Sequence, residues 1–200
     1  MNHISKERVG ALSDGVIAIA LTILVLELKP PKDHSLSGRE MGDWALLFVG
    51  WVVSFIMIAV MWIENHHQIV RASVWTKPLM VVTFTQLGLI SLIPFSSGLI
   101  MVSPGDLECA LTFNLILFAN GVCAGVGGLV LARDLRIHAG PTVGVELVRR
   151  SLVQVLIYAV VALIGVIGAI VHHPFLGVVL WMSMPLVTWF WLGSADKGAA

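Results

Sequence analysis

Six apolar stretches divide the chain, over residues 9–28, 44–63, 78–100, 107–131, 152–171 and 175–192. Each is near the ~20 residues that a helix needs to cross a hydrocarbon core of about 30 Å. None alternates apolar and polar residues with a period of two, which argues against a membrane β-barrel. Helices then remain as the structures that satisfy backbone polar groups in lipid. The pattern predicts an all-α membrane protein of six transmembrane helices. No half-length repeat is visible, so residues 1–200 are read as one domain. Pro94 and Pro185 fall inside the third and sixth stretches and predict kinks there.

The first stretch is the unusual one. Arg8 stands at its mouth, and Ser13-Asp14 interrupts it about one and a half turns later. A carboxylate inside a membrane helix costs at least ~2.5 kcal/mol, so Asp14 needs donors from a neighbour. Further along, Ile19, Ile23 and Leu26 recur at i, i+4 and i+7, one narrow helical face with Thr22 beside it. That stripe reads as a face packed on neighbouring helices. The alternative is a ring of equivalent residues around a symmetry axis, forming an apolar constriction. Periodicity alone does not separate the two.

Composition agrees with the membrane reading. The chain is 58% hydrophobic and 12% charged, about half the usual charged fraction of a soluble domain. The formal net charge is +0, which gives no electrostatic case for nucleic acid. Charge distribution sets the orientation. With the amino terminus inside, nine of the 12 Lys and Arg residues (Lys6, Arg8, Arg71, Lys77, Arg133, Arg136, Arg149, Arg150 and Lys197) fall on the cytoplasmic side. The positive-inside rule then places both termini in the cytoplasm. Trp44, Trp75, Trp189 and Trp191 lie near span ends, as an aromatic belt would. The Pro- and charge-rich segment 29–43 is expected to be an external connector, and residues 132–150, with Gly140-Pro141 and four arginines, a cytoplasmic loop. A signal peptide is not expected, because Asp14 breaks the apolar run and Lys29-Pro30-Pro31-Lys32 follows it.

Candidate chemistry is sparse. Cys109 and Cys123 form neither a disulfide nor a metal pattern and read as packing residues. Of two adjacent histidine pairs, His172-His173 reads as interfacial. His66-His67, at the inner end of the second stretch, shares the depth of Arg8, Ser13 and Asp14, so His66 or Arg8 is a candidate partner of Asp14. No catalytic constellation, phosphate loop or metal-ligand spacing is present, so no enzyme and no cofactor are expected. The small residues Gly121, Gly125 and Gly128 permit close helix approach, within a subunit or between subunits.

Arg8-x-x-x-Leu12-Ser13-Asp14 is similar to the Arg-x-x-x-Phe-Ser-Asp signature that opens the transmembrane protein 175 family of potassium channels. Leu12 replaces the signature phenylalanine. The run from Gly15 to Leu28 also resembles the first helix of that family. So do Trp62 with His66-His67, one residue further apart than usual, and Ile93-Pro94-Phe95. The resemblance covers the first half of the chain in detail and the second by helix count.

What the resemblance implies is specific. Prokaryotic members look like six-helix subunits that assemble as homotetramers in the cell membrane, multi-pass, with helix 1 lining a central pore. The constriction would fall on Ile19, Ile23 and Leu26, with Thr22 as the pore-lining polar residue. Arg8, Ser13, Asp14 and His66 would brace helix 1. The permeant ion would be potassium, with modest selectivity, since an apolar neck offers no carbonyl cage. Glu27, Asp33, Glu40 and Asp43 would raise cation concentration at the outer mouth or be merely solvated. The alternatives are a proton-conducting pore or ion-coupled secondary transporter in which Asp14 and His66 titrate, and a non-conducting scaffold or intramembrane enzyme.

Overall fold

A computed structural model describes residues 5–28, 38–72, 75–103, 106–139, 144–171 and 180–181. The elements among them are helices: α1 (Lys6–Ile23), α2 (Gly38–Arg71), α3 (Lys77–Ser91), α4 (Ile93–Val102), α5 (Leu107–Ala139) and α6 (Val145–Ile170). Helix α1 starts on Ser5, whose hydroxyl accepts from the Arg8 backbone N–H at 3.4 Å. That satisfies one of the donors a helix start leaves open. At its other end α1 tightens into a 3-10 turn over Leu24–Glu27.

Five spans among the described residues are long and apolar enough to cross a membrane: Lys6–Glu27, Leu47–Arg71, Lys77–Val102, Leu107–Ile137 and Leu147–Ile170. They correspond to the first five apolar stretches. The sixth stretch lies outside the described residues apart from Leu180 and Trp181, which are helical. Trp181 is fully enclosed, and its indole N–H donates to Asn114 Oδ1 at 2.9 Å. Pro185, His172, His173, Trp189, Trp191 and Lys197 also lie outside the described residues.

The third stretch is divided at the place its proline predicts. Pro94 has no N–H for the Ile90 carbonyl, and its ring crowds that turn. The helix therefore ends at Ser91, Leu92 donates its N–H to the Leu89 carbonyl at 3.2 Å, and α4 begins with Pro94 in its first turn. Four hydroxyls along α3 and α4 need no outside partner, whereas Ser97 Oγ of α4 shares a hydrogen bond of 2.8 Å with Ser54 Oγ of α2. Thr83, Thr85, Ser91 and Ser96 each donate to a backbone carbonyl three or four residues earlier.

Several boundaries differ from the expectation, for one physical reason. A helix does not stop where the lipid stops, because outside the membrane its polar face is simply solvated. The segment expected to be an external connector is already helical from Gly38. Helix α2 also runs past residue 63 to Arg71, because no breaker intervenes and Gln68 finds a protein partner, the Ala124 carbonyl, at 3.1 Å. The expected cytoplasmic loop 132–150 is helical up to Ala139 and again from Val145. Residues 140–143, between the two helices, lie outside the described residues. This extension is held by Thr76, just before α3, whose hydroxyl donates to Asp134 Oδ2 at 2.9 Å.

The most extensive helix pairing is α5 on α6. It rests on the small-residue face of α5. A Cβ at Gly121 would fall within the ring of Tyr158, and one at Gly128 would overlap the hydroxyl of Ser151. Lipid tails are as apolar as leucine, so close backbone approach supplies dispersion contacts that burial alone cannot. The glycine spacing thus serves packing within the subunit. A second face of α5 meets α2 and α3, where Gly127 is covered by Gln68 and Val82, and Cys123 Sγ donates to the Val82 carbonyl at 3.3 Å. The core includes Ile17, Leu24, Ile58, Ile90, Ile93 and Leu117, so it draws on α1 to α5.

Candidate functional site

Helix α1 turns one line of residues into the bundle. Val9, Ser13, Ile17 and Ala20 are buried, and Leu24 continues that line in the 3-10 turn. The stripe picked out by sequence lies elsewhere. Ile19 is 58% exposed, Ile23 45% and Leu26 72%, with Thr22 exposed beside them. Thr22 directs its hydroxyl to the Ile19 carbonyl at 2.8 Å, so the helix itself satisfies this polar group. The apolar window of this span is 28% buried, against 56% for the span of α5. Core packing of the isolated subunit therefore does not account for Ile19, Ile23 and Leu26.

The amino-terminal half of α1 carries the polar residues. Asp14 is exposed on the subunit surface, and its Oδ1 accepts the indole N–H of Trp62 from α2 at 2.7 Å. His66, one turn further along α2, stacks on Trp62 with ring centroids 5.7 Å apart. His66 thus reaches Asp14 only through Trp62. Ser13 points the other way. It is fully buried, and its hydroxyl has no partner among the described residues. Arg8 is exposed, and no hydrogen bond joins it to Ser13 or Asp14. Lys6 provides a further tie, donating from Nζ to the Val70 carbonyl near the carboxyl end of α2, where a cation also meets the negative end of the helix dipole.

Trp62 is the residue that sequence reasoning passed over as a donor. An indole offers a single N–H and accepts nothing, so a tryptophan at the depth of a lone carboxylate was a usable signal. Trp62→Phe keeps most of the ring and removes only this donor. A hydrogen bond to a charged group contributes about 2 kcal/mol, so the variant should melt roughly 4–8 °C below the parent. His66→Ala, which removes only a ring contact, should lose less. The opposite order in thermal denaturation would reassign the support of Asp14 to His66.

Glu27 behaves differently from an open mouth charge. It is half-buried, and its carboxylate occupies the space a Cβ would need at Gly98 on α4. Asp33 and the side chains of Glu40 and Asp43 lie outside the described residues. Among the described residues no three His, Cys, Asp or Glu side chains are placed to hold a metal ion.

Residues 8–94 match the sequence model of the family described as "Endosomal/lysosomal potassium channel TMEM175". On that segment the chain is similar to the TMEM175 family. The matched residues contain α1 from Arg8 onward and all of α2 and α3, including the stripe and the Trp62–Asp14 bond. The family so described is one of channels, not enzymes. A potassium channel of Streptomyces collinus is 45% identical over 64 residues, which cover 31% of this chain and 31% of that protein. A potassium channel of Chryseobacterium is 41% identical over 69 residues, 32% of each chain. The aligned part is thus about a third of these curated relatives. The fold extends much further. The crystal structure of a lysosomal potassium-selective channel TMEM175 homolog from Chamaesiphon minutus superposes with a TM-score of 0.75 at 22% identity, covering 94% of this chain and 97% of that one. With its five apolar spans, the chain is a multi-pass membrane protein of this fold.

Proposed function

We propose that the chain is the subunit of a potassium-permeable channel of a bacterial cytoplasmic membrane. Six helices cross the membrane, both termini face the cytoplasm, and four copies surround a pore lined by α1. Ile19, Ile23 and Leu26 form its apolar constriction, and Thr22 is the polar residue beside it. Arg8, Ser13, Asp14 and His66 brace the helix, Asp14 through Trp62. The observation that carries this reading is the outward stripe of α1, exposed in the single subunit and contained in the family-matched segment. The potassium channels named among its relatives support the choice of ion.

In such a neck an ion sheds part of its hydration without receiving a carbonyl cage in return. Potassium holds its water less tightly than sodium, so selectivity favours potassium modestly, and dewetting of the neck supplies a gate. No cofactor takes part. A proton-conducting pore or ion-coupled transporter is the second reading, and the exposed carboxylate of Asp14, bonded to Trp62 beside His66, is what favours it.

The test is purified protein reconstituted in potassium-loaded liposomes, with chemical cross-linking of the same preparation. A ladder ending at four copies, with potassium efflux exceeding sodium efflux, is the expected result. Tetramers that pass no potassium would refute the channel. Proton flux that exceeds potassium flux and vanishes in Asp14→Asn, with assembly intact, would select the second reading.

A further inference from the structure

Gln86 on α3 and Asn120 on α5 are both fully enclosed, and neither has a hydrogen-bond partner among the described residues on either polar atom of its side chain. They belong to the same interface. Cys123 of α5 bonds the Val82 carbonyl of α3 at 3.3 Å, and Gly127 is covered in part by Val82. The two helices run in opposite directions. From that contact, four residues forward on α3 leads to Gln86, and three residues back on α5 leads to Asn120. Both amides therefore lie about one helical turn from the Val82–Cys123 contact, on the same side of it.

Two amides at membrane depth present four N–H donors and two carbonyl oxygens with two lone pairs each. A direct amide–amide pair, even a double one, uses one N–H and one oxygen from each side chain and leaves the rest unmet. A cation would satisfy only the oxygens, and an anion only the N–H groups. A small neutral molecule that both donates and accepts suits the whole set, and such buried sites take water with two to four polar partners. We propose that Gln86 and Asn120 form a water-binding site inside each subunit, a hydrated joint between α3 and α5 separate from the exposed face of α1. It requires neither a pore nor an assembly, so it stands independently of the channel reading.

Ser13 and the indole N–H groups of Trp51 and Trp75 are also buried without a partner among the described residues, but Gln86 and Asn120 differ in leaving both an amide N–H₂ and a carbonyl oxygen unmet. Other interior groups contrast with them. Thr83 bonds the Leu79 carbonyl, Asn114 pairs with Trp181, and Gln154 donates to Glu64 Oε2 at 3.2 Å. Those groups are satisfied by the chain itself.

The experiment is a structure of the full chain in lipid nanodiscs at a resolution that resolves ordered water. Density for at least one water within about 2.7–3.2 Å of a polar atom of each amide is expected. Amides bonded only to each other or to protein groups, with no water between them, would overturn the site. Thermal denaturation of variants gives a second reading that does not depend on map quality. Gln86→Leu or Asn120→Leu alone strands the remaining amide, and each should lower the melting midpoint by roughly 3 °C or more. The double variant removes the need for water and should melt above both single variants. Single variants that melt with the parent, or a double variant that melts below both, would refute the proposal.

Discussion

Gly121→Leu is expected to yield no folded subunit. The added Cβ alone would fall within the Tyr158 ring, and the rest of the leucine has nowhere to go. Tyr158 is 3% exposed and meets Trp181 edge-on at 5.4 Å between centroids, so it cannot swing aside. The remaining adjustment is to separate α5 from α6, the most extensive pairing in the bundle. Overpacking in a core typically costs 1–3 kcal/mol, and a clash with an immobile aromatic ring belongs at about 3 kcal/mol or beyond. Size-exclusion chromatography in detergent should show the monodisperse peak replaced by aggregate. Adding Tyr158→Ala to the same chain should restore part of the peak by reopening the space. A Gly121→Leu protein that melts within about 2 °C of the parent would mean that α5 and α6 approach through other contacts.

Ile23→Asn should raise potassium flux about tenfold. In the proposed tetramer the substitution puts four amides where four aliphatic side chains stood, giving water and ions partners in a neck that otherwise dries. A reduction of the barrier by about 1.4 kcal/mol is enough for that factor. Discrimination between potassium and sodium should fall with it, because a wetter neck demands less dehydration. Ile23→Val preserves apolarity and should leave flux nearly unchanged. Val160→Thr, at another exposed apolar position on α6, should also leave flux unchanged. Equal flux in Ile23→Asn and the parent, in liposomes holding equal amounts of cross-linkable tetramer, would remove Ile23 from the conduction path.

The spans were legible because a bilayer imposes both their length and their helical form. Residues 9–28 and 78–100 therefore locate α1 with its 3-10 turn, and the α3–α4 pair, to within a few residues. Pro94 was equally readable, since its missing N–H acts locally. The far ends of α2 and α5 were not, because hydropathy marks the lipid boundary and helical propensity carries on beyond it. The partner of Asp14 shows a different limit. Trp62 and His66 are four residues apart and share one face of α2, so spacing marked the neighbourhood but not which ring would donate. The stripe shows a third. Its period was plain, yet whether Ile19, Ile23 and Leu26 point inward or outward depends on where α2 to α4 dock, which no pattern within α1 contains. Gln86 and Asn120 drew no notice in the sequence, because one amide in an apolar run carries no sign of whether a partner will reach it.

The division at Leu92 has a mechanical consequence. A continuous helix transmits a push along its whole length, whereas two rods joined by a single turn transmit little bending. Here α4 holds the last turn of α1, with Glu27 seated on Gly98, and α3 packs against the body of α1. A force applied to α4 alone would reach α1 at Leu24–Glu27, where Glu27 meets Gly98. The Trp62–Asp14 bond joins the middle of α1 to α2, away from that contact. The break at Leu92 thus separates the support of the carboxyl end of α1, by α4, from the support of its body, by α3.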